Sequence, residues 1–271
     1  MKARIAVVAL ALAVVGAATL SAHDMFIKLD SYFLAPGDTL QVPILNGTFT
    51  KSENGIEFER VSQVLLLTPD GFTTPAPLAW TVRRSDSTTR FGVVLAKPGT
   101  YALGVSTKPR ELAQTADAFN KYLKEEGITD ILALRKKTGQ MKRPARERYS
   151  KNVKAVFQVG EDRTPQVNMP FGSAAEVVPL DNPYIGQRTG IVRFLCLVGS
   201  KPVPGMTVLV GSQLANEKVK EISLVTDANG VIGVHITRKG RWYVKFVRMV
   251  RLTGGEIDYE SRWASLTFQV R

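Results

Sequence analysis

Apolar and polar residues alternate with a period of two along most of the chain, the spacing that turns one face of a strand to a core and the other outward. The pattern is clearest over residues 221–248. Ile222, Leu224 and Thr226 share a face, and Asp227-Ala228-Asn229-Gly230 supplies turn residues that tolerate positive φ. Ile232, Val234 and Ile236 then alternate with Val231, Gly233, His235 and Thr237. A second turn at Lys239-Gly240 leads into Trp242, Val244 and Phe246, with Tyr243, Lys245 and Val247 opposite. This stretch predicts a three-stranded meander whose apolar face a second sheet must cover, with His235 on the outward face.

Residues 24–107 carry strand-length runs separated by turn signals such as Ala35-Pro36-Gly37-Asp38 and Pro69-Asp70-Gly71. The period changes after Pro109. Leu112, Ala116, Phe119 and Leu123 recur at helical spacing and Gly127 is placed to end the helix. Residues 128–137 read as a shorter second helix and 146–153 as a third helical turn, so a helical insert occupies about 109–154. Strands resume at 155–159, and the closing run 259–270 sets Trp263, Ser265, Thr267 and Gln269 against Ala264, Leu266, Phe268 and Val270. The prediction is a mainly β protein of two antiparallel β-sandwich portions, immunoglobulin- or transthyretin-like. Residues 23–160 form the first, with the helical insert, and 161–271 the second.

The first residues add a compartment. Lys2 and Arg4 precede an apolar run over 5–18 that is short for a membrane span and ends in small residues up to Ala22. This predicts a signal peptide over 1–22, with cleavage after Ser21 or Ala18 as alternatives, and a periplasmic or secreted protein. No later segment is long and apolar enough to serve as a transmembrane anchor. The single cysteine, Cys196, shares a face with Val192, Phe194 and Val198 and reads as core packing, so stability must come from burial. The formal net charge of +12 would suggest nucleic acid in a cytosolic protein. Export argues against that partner and leaves anionic envelope polymers and lipid head groups. Cations crowd the segment from Arg135 to Lys154, offset by Glu147 alone, and read as a solvated helical face or a dock for an acidic partner.

Several motifs, in this order, resemble an uncharacterised family of exported bacterial domains associated with nickel and cobalt uptake. They are Ala22-His23-Asp24-Met25-Phe26, Arg146-Glu147-Arg148-Tyr149 with Lys154, Glu176-Val177-Val178-Pro179-Leu180 with Asn182-Pro183, Lys201-Pro202, and the closing run from Glu260 to Phe268. Thr226-Asp227-Ala228-Asn229-Gly230 before Gly240-Arg241-Trp242-Tyr243 is also similar to regulatory-type β-sandwich modules of exported proteins. The resemblance implies two β-sandwich portions and a role in transition-metal handling, and supplies no catalytic residues.

The chain has two histidines, His23 and His235. Cleavage after Ala22 would give His23 a free α-amine, which with its Nδ1 could chelate one metal; His235 would complete a three-nitrogen set suited to Cu(II) or Ni(II), with Co(II) implied by the family. The competing reading has His23 beside a frayed terminus and His235 as an ordinary strand residue. A glycine-rich phosphate loop and a Gly-x-Ser-x-Gly elbow are missing, and two histidines leave little scope for a Ser/His/Asp site. Asp30, Asp38, Glu57 and Glu59 read as loop and turn residues, Trp242 as buried and Trp263 as an exposed aromatic. The expectation is therefore a non-enzymatic exported protein that binds a divalent transition metal (Ni, Co or Cu) through His23 and His235, with metal-uptake machinery as a partner. The alternative is a structural or interaction module for an anionic envelope component or a partner protein.

Overall fold

A computed structural model describes residues 23–75, 78–185, 190–215 and 217–271. The signal peptide expected over 1–22 lies outside them. In chain order the first strands are β1 (Asp24–Ile27), β2 (Phe33–Leu34), β3 (Thr39–Gly47), β4 (Val61–Thr68), β5 (Gly71–Thr73), β6 (Leu78–Arg83), β7 (Thr88–Val94), β8 (Gly99–Thr107) and β9 (Arg110–Gln114). Helices α1 (Ala116–Glu125) and α2 (Thr129–Lys137) follow, then β10 (Ala145–Val159), β11 (Ala175–Pro179), β12 (Ile191–Val198), β13 (Lys201–Pro202) and β14 (Thr207–Gln213). The chain ends with β15 (Lys220–Val225), β16 (Val231–His235), β17 (Gly240–Arg251) and β18 (Tyr259–Val270).

The protein is mainly β, as expected, and its sheets stack in three layers. A central sheet runs β15-β14-β17-β18-β10-β8-β4-β5, with β2 and β9 also paired to β10. A front sheet, β1-β3-β7-β6, and a back sheet built on β11, β12, β13 and β16 cover its two faces. Alternate residues of a central strand face opposite layers, and on β4, β8 and β10 both sets are apolar. Tyr101, Leu103, Ala155 and Phe157 meet Met25, Ile27, Val42 and Phe91 in front. Ala102, Val156, Val244, Leu266 and Phe268 meet Val177, Phe194, Ile232 and Val234 behind. On β18 the front face carries hydroxyls instead. Ser265 donates to the Met25 carbonyl at 2.7 Å and Thr267 to that of Ile27, satisfying acceptors on the edge strand β1. The helices lie beside the front sheet, packing Phe119, Tyr122 and Ile131 on Val247, Met249 and Trp263.

Five expectations change. Residues 221–248 are not a meander: β15 pairs with β14 in the central sheet, whereas β16 pairs with β12 in the back sheet. The turn itself forms, with Asp227 Oδ1 accepting from the amides of Asn229 at 2.8 Å and Val231 at 2.9 Å, but it carries the chain from one sheet to another. Residues 146–153 are strand, because β10 is held by β9 and β8 along one edge and by a long parallel pairing with β18 along the other. The first helix starts at Ala116, capped by Thr115 Oγ1, because 110–114 is claimed by that ladder. Finally, the crowded cations are not one solvated face. Arg135 is 1% exposed, with Lys151 and Lys154 also buried, and the Arg135 guanidinium donates to Asn120 Oδ1, to the carbonyls of Gln140 and Arg143, and to Tyr259. The boundary expected at 160/161 does not divide the sheets, since β10 before it pairs with both β8 and β18.

Candidate ligand cleft at the start of the first strand

Where β1 begins, the front sheet stops short of the helices and leaves a cleft of about 350 Å³ over β9 and β10. His23 lines it. Its Nε2 lies 2.9 Å from a Glu53 carboxylate oxygen, with Glu53 presented by the loop after β3. Its carbonyl accepts from Nζ of Lys151, which also donates to Asn46 Oδ1 at 2.7 Å. The Lys151 ammonium lies 5.5 Å from the Tyr149 ring centroid and 5.6 Å from that of Trp263. Its direct partners are thus neutral oxygens and aromatic faces. Burial accordingly pushes its pKa down to about 8, against the pull of Asp24 and with a further push from Arg60.

Arg60 and Arg110 line the same cleft. Arg60 donates to the Pro109 carbonyl at 3.4 Å and lies 5.9 Å from the Tyr149 ring. Burial, with Arg110 nearby, holds its pKa below the usual arginine value. Glu111 at the rim is already engaged by Arg148 at 3.2 Å and Arg146 at 3.9 Å. Behind the cleft, Asp24 and Glu126 flank Lys245, which lies 2.8 Å from Glu126. The cleft lining carries three cations, Lys151, Arg60 and Arg110, against two carboxylates, Glu57 and the already engaged Glu111, and so presents one net positive charge on a partly apolar floor, an arrangement for holding an anion.

The structure does not bring the two histidines together. His23 belongs to the front layer, whereas His235, on β16, faces outward from the back layer and is exposed. Stacked sheets lie about 10 Å apart, so two layers separated by a third are about 20 Å apart. Metal–nitrogen bonds are about 2 Å long, and one ion cannot bridge that gap. Among the described residues no group of three or more His, Cys, Asp or Glu side chains is placed to hold a metal ion.

Other candidates fall elsewhere. Trp263 is buried rather than exposed, stacked on Tyr122 at 5.5 Å between centroids, because the helices cover it. Trp242 and Cys196 are buried as expected. Asp38 closes its turn by accepting from the Ala35 amide at 2.8 Å, and Asp30 pairs with Arg90 at 3.1 Å. Sequence reasoning missed Lys151, Asn46 and Arg60 as cleft residues and Glu53 as the partner of His23. No local signal marks Lys151, because the polar run Ser150-Lys151-Asn152 precedes the apolar strand run.

The chain belongs to a family described as a domain of unknown function (DUF4198), whose model matches residues 20–249. That description names no metal, so it does not carry the nickel and cobalt association of the resemblance. No curated protein matches the chain. Among solved structures it is similar to trypsin-activated alpha-2-macroglobulin from Escherichia coli, at 13% identity over 92% of this chain and 16% of that one, with a TM-score of 0.24. It is also similar to a DUF4785 family protein from Legionella pneumophila, at 11% identity over 81% of this chain and 50% of that one, with a TM-score of 0.23. The D0-D1 domain of intimin matches at 13% identity over 90% of this chain and 97% of that one, with a TM-score of 0.20. The chain thus spans 16% and 50% of the first two, and TM-scores this low carry no argument about fold or function.

Proposed function

We propose that the protein is an exported, non-catalytic binding module that holds an anionic group of an envelope component in the cleft beside His23. One observation carries this reading: the buried Lys151 ammonium has only neutral partners within hydrogen-bonding reach, in a cleft that two arginines also line. A buried charge of that kind gains most from an incoming anion. The test is calorimetric titration of the mature protein with a uronate oligosaccharide at low and high salt. Saturable binding that weakens with salt, and by about tenfold in Arg110→Gln, is expected. No binding, or binding indifferent to Arg60→Gln and Arg110→Gln alike, rejects the proposal.

A second reading rests on the contact of His23 with Glu53. In a chain processed after Ala22, the α-amine, the imidazole and this carboxylate would offer two nitrogens and an oxygen to Ni(II), Co(II) or Cu(II), without His235. Metal titration then predicts binding abolished by His23→Ala and untouched by His235→Ala. The reverse pattern would refute it.

A further inference from the structure

A second cleft, of about 410 Å³, opens on the other side of the loop after β3, between the front sheet and the start of β17. Its chemistry is set by Lys28, Arg90 and Arg241, with Lys51 at the edge. Arg90 donates through Nη1 to Asp30 Oδ2 at 3.1 Å, and Arg241 through Nη2 to the Asp30 carbonyl at 2.7 Å. Each guanidinium has committed one terminal nitrogen. The buried Nε of each reaches no acceptor in the protein. Among the described residues the remaining Nη2 of Arg90 and Nη1 of Arg241 make no hydrogen bond either. A buried donor left unmade is costly, so two arginines in this condition on one cleft call for an explanation.

The charge balance points the same way. Lys28 donates to the Phe49 carbonyl at 2.7 Å and Gln213 Oε1 at 2.8 Å, both neutral. The lining carries four cations, Lys28, Lys51, Arg90 and Arg241, against two carboxylates, Asp30 and Asp86, which leaves two positive charges, and Asp86 is already engaged by Arg83. Burial, then Arg241, pushes the Lys28 ammonium down to about 8 despite Asp30. Cations have been folded together with too little negative charge between them.

We propose that this cleft is a phosphate site, in which the free guanidinium edges of Arg90 and Arg241 grip the oxygens of a phosphate dianion beside the Lys28 ammonium. Planar guanidinium forks match phosphate oxygens, and two negative charges match the residual two positive ones. A carboxylate would neutralise only half of them. The site is separate from the His23 cleft and does not depend on the function proposed for it.

The experiment titrates the mature, full-length protein with inorganic phosphate and, separately, with glycerol phosphate, at pH 7.5 and low chloride. One saturable site is expected for at least one of them, weakened by about tenfold or more in Arg241→Gln and in Arg90→Gln, and unchanged in Arg110→Gln of the first cleft. Binding of both marks free phosphate as a sufficient ligand; binding of the ester alone marks a phosphate-bearing polymer or lipid headgroup. Should the arginine variants fold poorly, the wild-type protein decides: phosphate must raise its melting temperature above that in chloride of equal ionic strength and shift the Lys28 ammonium titration upward. No saturable binding of either ligand up to about 10 mM overturns the proposal, as does binding that survives both arginine substitutions.

Discussion

Individual side chains show best what one-dimensional text conveys. Cys196 in an apolar run reads as core, and the structure buries it behind the central sheet, where loss of solvent pushes its thiol up to about 12. We expect it to resist a thiol reagent in the folded protein and to react once urea unfolds the chain; fast native labelling would contradict that burial. In sequence, Lys154 reads with the cations of a solvated helical face, and no local pattern names its partner, because Glu176 lies on a different sheet. The two form a buried ion pair, and Glu176 also accepts from the amides of Phe171 at 2.6 Å and Gly172 at 3.1 Å. Lys154→Met leaves that carboxylate without its cation and should cost about 3–5 kcal/mol in urea melts. Lys121→Ala, which breaks only the exposed pair with Glu125, should leave the melt unchanged. Equal effects of the two would show that burial does not set the strength of these pairs. Gly211 illustrates a constraint invisible in sequence: a Cβ there would come within 2.2 Å of the Tyr243 ring. Gly211→Ala should destabilise the fold by about 1–3 kcal/mol, and a neutral result would mean the ring moves freely aside.

Elements were legible in type more often than in pairing. Period-two runs located most strands, and α1 ends at Glu125, with Gly127 just past its cap at a φ of +68°. Pairing failed for residues 221–248 because an apolar face says which side of a strand is buried, not which sheet it joins. Ile232 and Val234 do share a core with Val244 and Phe246, but across two layers. The third helical turn failed for a related reason, since the charges on β10 alternate between rim arginines and buried lysines that only long-range packing can satisfy. The end of α1 also carries a pH response. Glu126 caps the helix and contacts Lys245 on β17, with Asp24 of β1 on the other side. Burial, then Asp24, pushes the Glu126 carboxyl from 4.5 up to about 7 against the pull of Lys245. For Lys245, burial works downward but the two carboxylates outweigh it and hold its pKa above the usual lysine range. Between pH 4.5 and 7 the folded chain thus retains a proton on Glu126 that the unfolded chain releases. Its contribution to stability falls as pH rises through that window and is lowest above it. Melting temperatures across the window should converge between wild type and Glu126→Gln at one end and separate at the other. Parallel profiles would show that Glu126 titrates alike in both states.

At the scale of the whole molecule, a central sheet drawn from both halves of the chain organises everything else. It separates a front layer, which carries His23 and both cationic clefts, from a back layer that carries His235. Fold class was readable from the sequence because alternation is local. The clefts were not, since the first gathers residues as distant in sequence as His23 and Lys151, and the second Lys28 and Arg241. The same layering that sets the two histidines in different layers explains why two sandwiches in series were expected: each half does contribute a covering sheet, but both cover one shared partner. The measurement that tests this most directly is a spin-label distance between positions 23 and 235, made with His23→Cys and His235→Cys in a Cys196→Ala background. The layered arrangement predicts a separation of about 20 Å or more. A separation under about 10 Å, the spacing of adjacent sheets, would contradict it and return both histidines to a common site.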